Sequence, residues 1–229
     1  MTDIDAATLV DLVRASHLRL HKLVDGLTDA QAREPSALPD WSRGHVLTHV
    51  ANLATAFARV TDFALRGEQV EVYEGGRPAR AAAIEAGAGR PAAELVRAVV
   101  ESDALLEQAW AKAGPDDWAR PVRYRDGVLL DTVWCRWREA EVHAVDAHLG
   151  YEPSQWSPEF CAHLVEFLTP RVPEGIELML SPVDGERAFL LGGGREVELR
   201  GHLSDLVAWL AGRRHGDIDG ELVELNPWP

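Results

Sequence analysis

The stretch WSRGHVLTHV, residues 41–50, carries His45 and His49 four residues apart, and REAEVHAVD, residues 138–146, carries Glu139 four residues before His143. Residues four apart on a helix lie on one face, so Glu139 and His143 can share a ligand, whereas Glu141 points elsewhere. His49 falls on the apolar stripe of its own helical pattern, with His45 and Asn52 as the nearest alternatives. Imidazole nitrogen and carboxylate oxygen together suit zinc and other divalent first-row metals. Three protein ligands would leave positions open, which is the pattern of a catalytic site rather than a closed structural one. The competing reading is a histidine hydrogen-bonded within a core and a Glu–His pair on an exposed helix face. Spacing alone leaves both open. His17 and His21 share the four-residue spacing and read as surface or helix-packing residues, and His148 has no clear partner.

Four long helical patterns would have to position these groups. Residues 4–25 and 43–66 carry apolar residues at helical spacing, the second with Asp40 or Ser42 as a candidate cap. Pro91 opens a third pattern, and a fourth runs from Leu130 to Leu149, ending near Gly150. GEQVEVYEGGRPAR reads as a glycine-rich connector, and GPDDWARPVRYRDGVL as a loop with a short hairpin. After residue 152 the pattern changes. A helix over 158–168, three short strands (GIELMLSPV, RAFLLGG, REVELRG) and a helix in HLSDLVAWLAGRR predict a small α+β domain. The expected fold is therefore mostly α, with a four-helix bundle over residues 1–152 and an α+β domain over 153–229.

Composition narrows the function classes. The 229 residues are 46% apolar and 26% charged, an ordinary globular balance. A formal charge of -14 argues against nucleic acid or anionic membrane as a partner. The N-terminal residues lack the basic and apolar regions of a signal peptide and no run is long enough to span a membrane, so a cytoplasmic location is expected. Cys135 and Cys161 are too few and too isolated for a disulfide framework or a cysteine-based zinc site, and read as small buried apolar residues. The tryptophans, Trp41, Trp134, Trp137 and Trp209 among them, read as core or pocket walls. A two-domain chain can form a cleft without a second subunit, so a monomer is expected.

The runs LPDWSRGHVLTHVANLA, YEGGRPARAAAIEAGAGRP, WREAEVHAVDAHLG and LVAWLAGR, in this order, resemble the mycothiol-dependent maleylpyruvate isomerase family. The first part resembles the DinB-like superfamily of metal-binding four-helix bundles. The resemblance places the family's metal triad on His49, Glu139 and His143, and its functional arginine on Arg213. It implies a divalent metal, zinc first, and mycothiol, a low-molecular-weight thiol, as cofactors. The implied reaction adds the metal-held thiolate to the cis double bond of maleylpyruvate. Rotation about the resulting single bond and elimination of the thiol then give fumarylpyruvate. Arg213 would bind a substrate carboxylate or stabilise the enolate, Arg80 is a second candidate for substrate binding, and Asp146 is a candidate to orient a metal ligand from behind.

Three function classes meet these residues. The first is the cis–trans isomerase. The second is a mycothiol S-transferase, in which the same thiol attacks an electrophile and stays attached. The third is a non-catalytic, metal-stabilised protein that binds a small molecule. An open triad together with Arg213 favours an enzyme.

Overall fold

The computed structural model describes residues 4–185 and 187–229, and the chain divides into two compact units, Ile4–Tyr151 and Glu152–Pro229. The first unit holds helices α1 (Ala6–Val24), α2 (Asp29–Arg33), α3 (Arg43–Leu65), α4 (Gly76–Ala88), α5 (Ala92–Trp110) and α6 (Leu129–Asp146). The four long helices α1, α3, α5 and α6 form the bundle. The second unit holds α7 (Pro158–Leu168), β1 (Gly175–Pro182), β2 (Phe189–Gly192), β3 (Gly194–Gly201), α8 (Leu203–Leu210) and β4 (Asp219–Gly220). The expected fold class, a helical bundle followed by a small α+β domain, is the observed one. No helix among the described residues is long and apolar enough to cross a membrane.

Local chemistry explains the helix starts. Asp5 caps α1 by accepting from the Thr8 amide at 2.9 Å. Ser42, not Asp40, caps α3, and the His45 ring returns the bond by accepting from the Ser42 amide at 3.1 Å. Asp40 instead takes a left-handed backbone with φ 63°. The last bundle helix ends at Asp146, short of the expected Leu149, because His148 and Gly150 both adopt positive φ.

The connector reading needs correction. Residues 76–88 form α4, although Gly75 and Gly76, Gly87 and Gly89 punctuate both ends. Pro78 sits in its first turn, where a missing N–H costs little, and the run Ala79–Ala83 is built mostly of alanine, a strong helix former. Two glycines let α4 lie close against α3. A Cβ on Gly44 would stand 2.2 Å from the Ala88 carbonyl oxygen, and one on Gly87 would stand 2.5 Å from the Thr48 methyl. The hairpin expected within 114–129 reduces to a single bridge, Pro121 to Val128, which encloses the second of two short 3-10 turns.

In the second unit the strand order is β2-β1-β3-β4. β1 pairs antiparallel with β2 and parallel with β3, so the chain must cross the end of β1 between them. Gly192 and Gly194, at φ 75° and 132°, make that crossing, and a Cβ on Gly194 would meet the Gly175 carbonyl oxygen at 2.2 Å. α7 and α8 pack on each other, and α8 packs on β1 and β3. The terminal strand β4 pairs with β3 and carries no apolar signal that would reveal it in the sequence.

A charged knot lies within the apolar bundle core. The Arg136 guanidinium, on α6, is fully buried. It donates to the His17 ring on α1 at 2.9 Å, to the Val50 carbonyl on α3 at 2.9 Å, and to the Asp103 carboxylate on α5. Asp103 also meets His21 at 2.8 Å, and His17 meets Glu107 at 2.7 Å. His17 is therefore buried, a helix-packing residue and not a surface one, with partners on α5 and α6.

Removing one member of a buried ion pair strands its partner, at a cost of about 3–5 kcal/mol. Arg136→Leu should lose about that much stability in denaturant unfolding, and adding Asp103→Leu should restore most of it. Burial lowers the pKa of His17 although Glu107 pulls it up, so the unfolded chain binds that proton more readily. Stability should then fall as pH drops through about 6.5, the unfolded value. Asp103 is held below its ordinary value by Arg136 and the two histidines against the opposing effect of burial, and adds a second loss at lower pH. His17→Gln should show a smaller decline in melting temperature between pH 7 and 5 than the parent. An equal decline would remove His17 as the source.

Candidate metal centre

α3 and α6 bring His49, Glu139 and His143 together, with one ligand atom from each lying within 4.8 Å of the others. Glu139 Oε2 is 2.7 Å from His49 Nε2 and 3.2 Å from His143 Nε2. Zinc bonds of about 2.0–2.1 Å in a tetrahedron place ligand atoms roughly 3.3 Å apart, so small rotations would admit a cation. His49 is buried, while the Glu139 and His143 side chains remain 25% and 13% exposed, so the cluster has an open side. The donor set fits a divalent metal.

The surroundings orient the donors. Asp146 Oδ2 lies 2.9 Å from His143 Nδ1, which fixes one ring proton there and turns Nε2 toward Glu139. Trp41 sets its ring edge-on to His49, with centroids 5.8 Å apart. His45 is turned to its capping role at Ser42, stacks on Trp41 at 6.1 Å, and does not join the cluster.

Charge follows from these contacts. Burial opposes ionisation of Glu139, but hydrogen bonds from His143 and His49 outweigh it and hold its carboxyl well below the ordinary value. Burial lowers the pKa of His49 despite its bond to Glu139. For His143, burial opposes the cation, yet Asp146 and Glu139 raise the pKa to about 9.

Arg80, from α4, is also brought to the cluster. Its Nη2 lies 3.2 Å from His49 Nδ1 and 3.3 Å from His49 Nε2. An atom equidistant from both ring nitrogens stands over the ring face and not on a lone pair. Tyr73, just before α4, also has its hydroxyl buried in this neighbourhood, under the influence of Arg80 and Glu139. No spacing signal marks Tyr73, because it lies in an irregular segment. Arg213 belongs to the second unit. It follows α8 beyond Gly212, donates to the Ala211 carbonyl at 2.7 Å and lies over the Trp228 ring at 5.0 Å. Cys135 and Cys161 are both buried and form no disulfide, and burial pushes the Cys135 thiol up to about 11.

A helical bundle with a His–Glu–His cluster between two of its long helices, followed by a small α+β unit, places the chain among bundle proteins with a candidate metal centre. Residues 13–148 match the family model described as the mycothiol maleylpyruvate isomerase N-terminal domain, and the chain belongs to that family. It is similar, at 25% identity and a TM-score of 0.87, to the crystal structure of the mycothiol-dependent maleylpyruvate isomerase, over 100% of this chain and 99% of that one. A variant of that isomerase with one histidine replaced by alanine has the same fold, with 24% identity, a TM-score of 0.86 and the same coverage. No curated protein sequence matches the chain.

His49→Ala, Glu139→Ala and His143→Ala should each abolish binding of one divalent metal per chain, with helical content by circular dichroism largely kept. Asp146→Asn should weaken metal binding by about 10–100-fold. In the metal-free protein His143 carries a proton below about pH 9, and a metal requires the neutral ring. Zinc binding near pH 7.5 should therefore release about one proton into weakly buffered solution. Full metal content in all three alanine variants would refute the site.

Proposed function

We propose that this chain is a metal- and mycothiol-dependent cis–trans isomerase that converts maleylpyruvate to fumarylpyruvate. The observation that carries this reading is the open His49–Glu139–His143 cluster, which lies within the residues matched by the isomerase family. A cation held by these three side chains, zinc being the first choice for two imidazoles and a carboxylate, would keep a low-molecular-weight thiol deprotonated at neutral pH.

The chain's own residues divide the remaining work. Asp146 holds the proton on His143 Nδ1 so that Nε2 stays available. Arg80, over the face of His49, is the proposed partner of a substrate carboxylate. Arg213 is the proposed second anion-binding group, for a carboxylate or for the enolate formed after thiol addition. Two buried protein thiols, one with its pKa pushed up to about 11, make poor nucleophiles, which supports an external thiol.

The test incubates the metal-loaded protein with mycothiol and maleylpyruvate, and follows double-bond geometry and free thiol together. Formation of the trans product at constant thiol is expected. Thiol consumed in step with substrate would replace the isomerase by an S-transferase, and no change in either would leave a binding protein. Arg213→Ala should lower kcat/KM by tens-fold or about 2 kcal/mol at unchanged metal content. Arg213→Lys should also be impaired, because it keeps the charge but loses the planar fork. Cys135→Ala should keep most of the activity, and its complete loss with metal intact would point to a protein thiolate instead.

A further inference from the structure

The segment between α3 and α4 is tied down along α3. Arg59 donates to the carbonyls of Glu71 and Val72 at 2.5 and 3.3 Å, and to the Glu74 carboxylate at 3.2 Å. Val70 and Val72 pack against Val60, Ala64, Val122 and Leu129. The Tyr73 carbonyl accepts from the Gly76 amide at 3.0 Å and turns the chain into α4. Tyr73 is thus held on both sides by contacts that do not involve its hydroxyl.

That hydroxyl is buried beside the Arg80 guanidinium, a donor only, and its own proton meets no acceptor within hydrogen-bond geometry among the described residues. Burying a hydroxyl without a partner is unfavourable, and such groups are rare in folded proteins. Burial pushes the phenol up to about 12 against the pull of Arg80, so it remains a proton donor at neutral pH. Arg80 beside it is also a donor only. Two donors converge near the triad, and the missing complement is an acceptor. The charges agree. A dication and Arg80 set against the two carboxylates Glu139 and Asp146 leave one positive charge in a largely buried place, which an anionic ligand would neutralise.

We infer that the Tyr73 hydroxyl, together with Arg80, forms the anion-binding side of the metal centre and donates a hydrogen bond to a carboxylate oxygen of the bound substrate. The inference rests on the proposed metal site, but does not require that maleylpyruvate be the substrate.

Tyr73→Phe removes the oxygen and little else. Calorimetric titration of the zinc-loaded protein with maleate, a simple dicarboxylate, should give a Kd raised about tenfold or more in this variant, with metal content unchanged. The melting temperature without maleate should stay close to that of the parent, because the hydroxyl proton meets no acceptor in the free protein. An unchanged Kd, a parent that binds no maleate, or a variant that melts several degrees lower without maleate would each overturn the inference. Tyr73-dependent maleate binding in a protein that leaves maleylpyruvate unchanged would instead reject the isomerase and keep the anion site.

Discussion

The Arg136 guanidinium fixes the register of the bundle. It reaches α1 through His17, α3 through the Val50 carbonyl and α5 through Asp103. Apolar stripes alone allow helices to slide and rotate with modest loss, since one methyl group substitutes for another. A buried fork of donors does not, because every displaced bond leaves a charge or a dipole unpaired. Its position matters for the site. Val50 follows His49 directly, and Arg136 precedes Glu139 by less than one turn. The bond from Arg136 to Val50 therefore ties α3 to α6 at the level where the two helices present the atoms of the candidate metal site.

α6 shows how neighbours decide the role of a side chain. Glu141 and Glu139 are two residues apart. Glu141 is buried and satisfied by Ser16 at 2.5 Å, by the Tyr151 hydroxyl at 2.6 Å and by Arg19. Its bonds come from α1 and from the end of the first unit, so it packs α6 against α1. Glu139 meets two imidazoles instead, on a side that stays partly open. An arginine is a permanent partner for a carboxylate, whereas an imidazole can surrender its proton to a metal.

The site was legible in the sequence because its signal is local. Glu139 and His143 lie one turn apart on a helix whose apolar pattern is plain, and His49 stands on the stripe of another. The four long helices follow from the same periodicity. α4 was hidden because glycines at both ends and Pro78 near its start look like coil, and its packing on α3 depends on the close approach at Gly44 and Gly87. The knot was hidden for a different reason. His17 and His21 have a spacing as suggestive as that of Glu139 and His143, but their partners Asp103, Glu107 and Arg136 lie on helices far along the chain. Nothing in a single sequence marks Arg136 as buried, since an arginine in a helix is by default a solvated one.

The two clusters are built from the same side chains, and the contrast between them explains why only one is a candidate metal centre. His17, His21, Asp103 and Glu107 supply two imidazoles and two carboxylates from α1 and α5, a donor set as suitable for a cation as His49, Glu139 and His143. In the first cluster the protein provides the cation itself. Arg136 donates to both His17 and Asp103, so the lone pairs that a metal would need are already used. In the second, Arg80 stands over the face of His49 and leaves the facing atoms of Glu139 and His143 without a side-chain cation between them. Fixing one cation covalently gives rigidity without chemistry. The other place has no such fixed cation, and its Glu139 and His143 side chains stay partly exposed, as a site for an exchangeable ion requires.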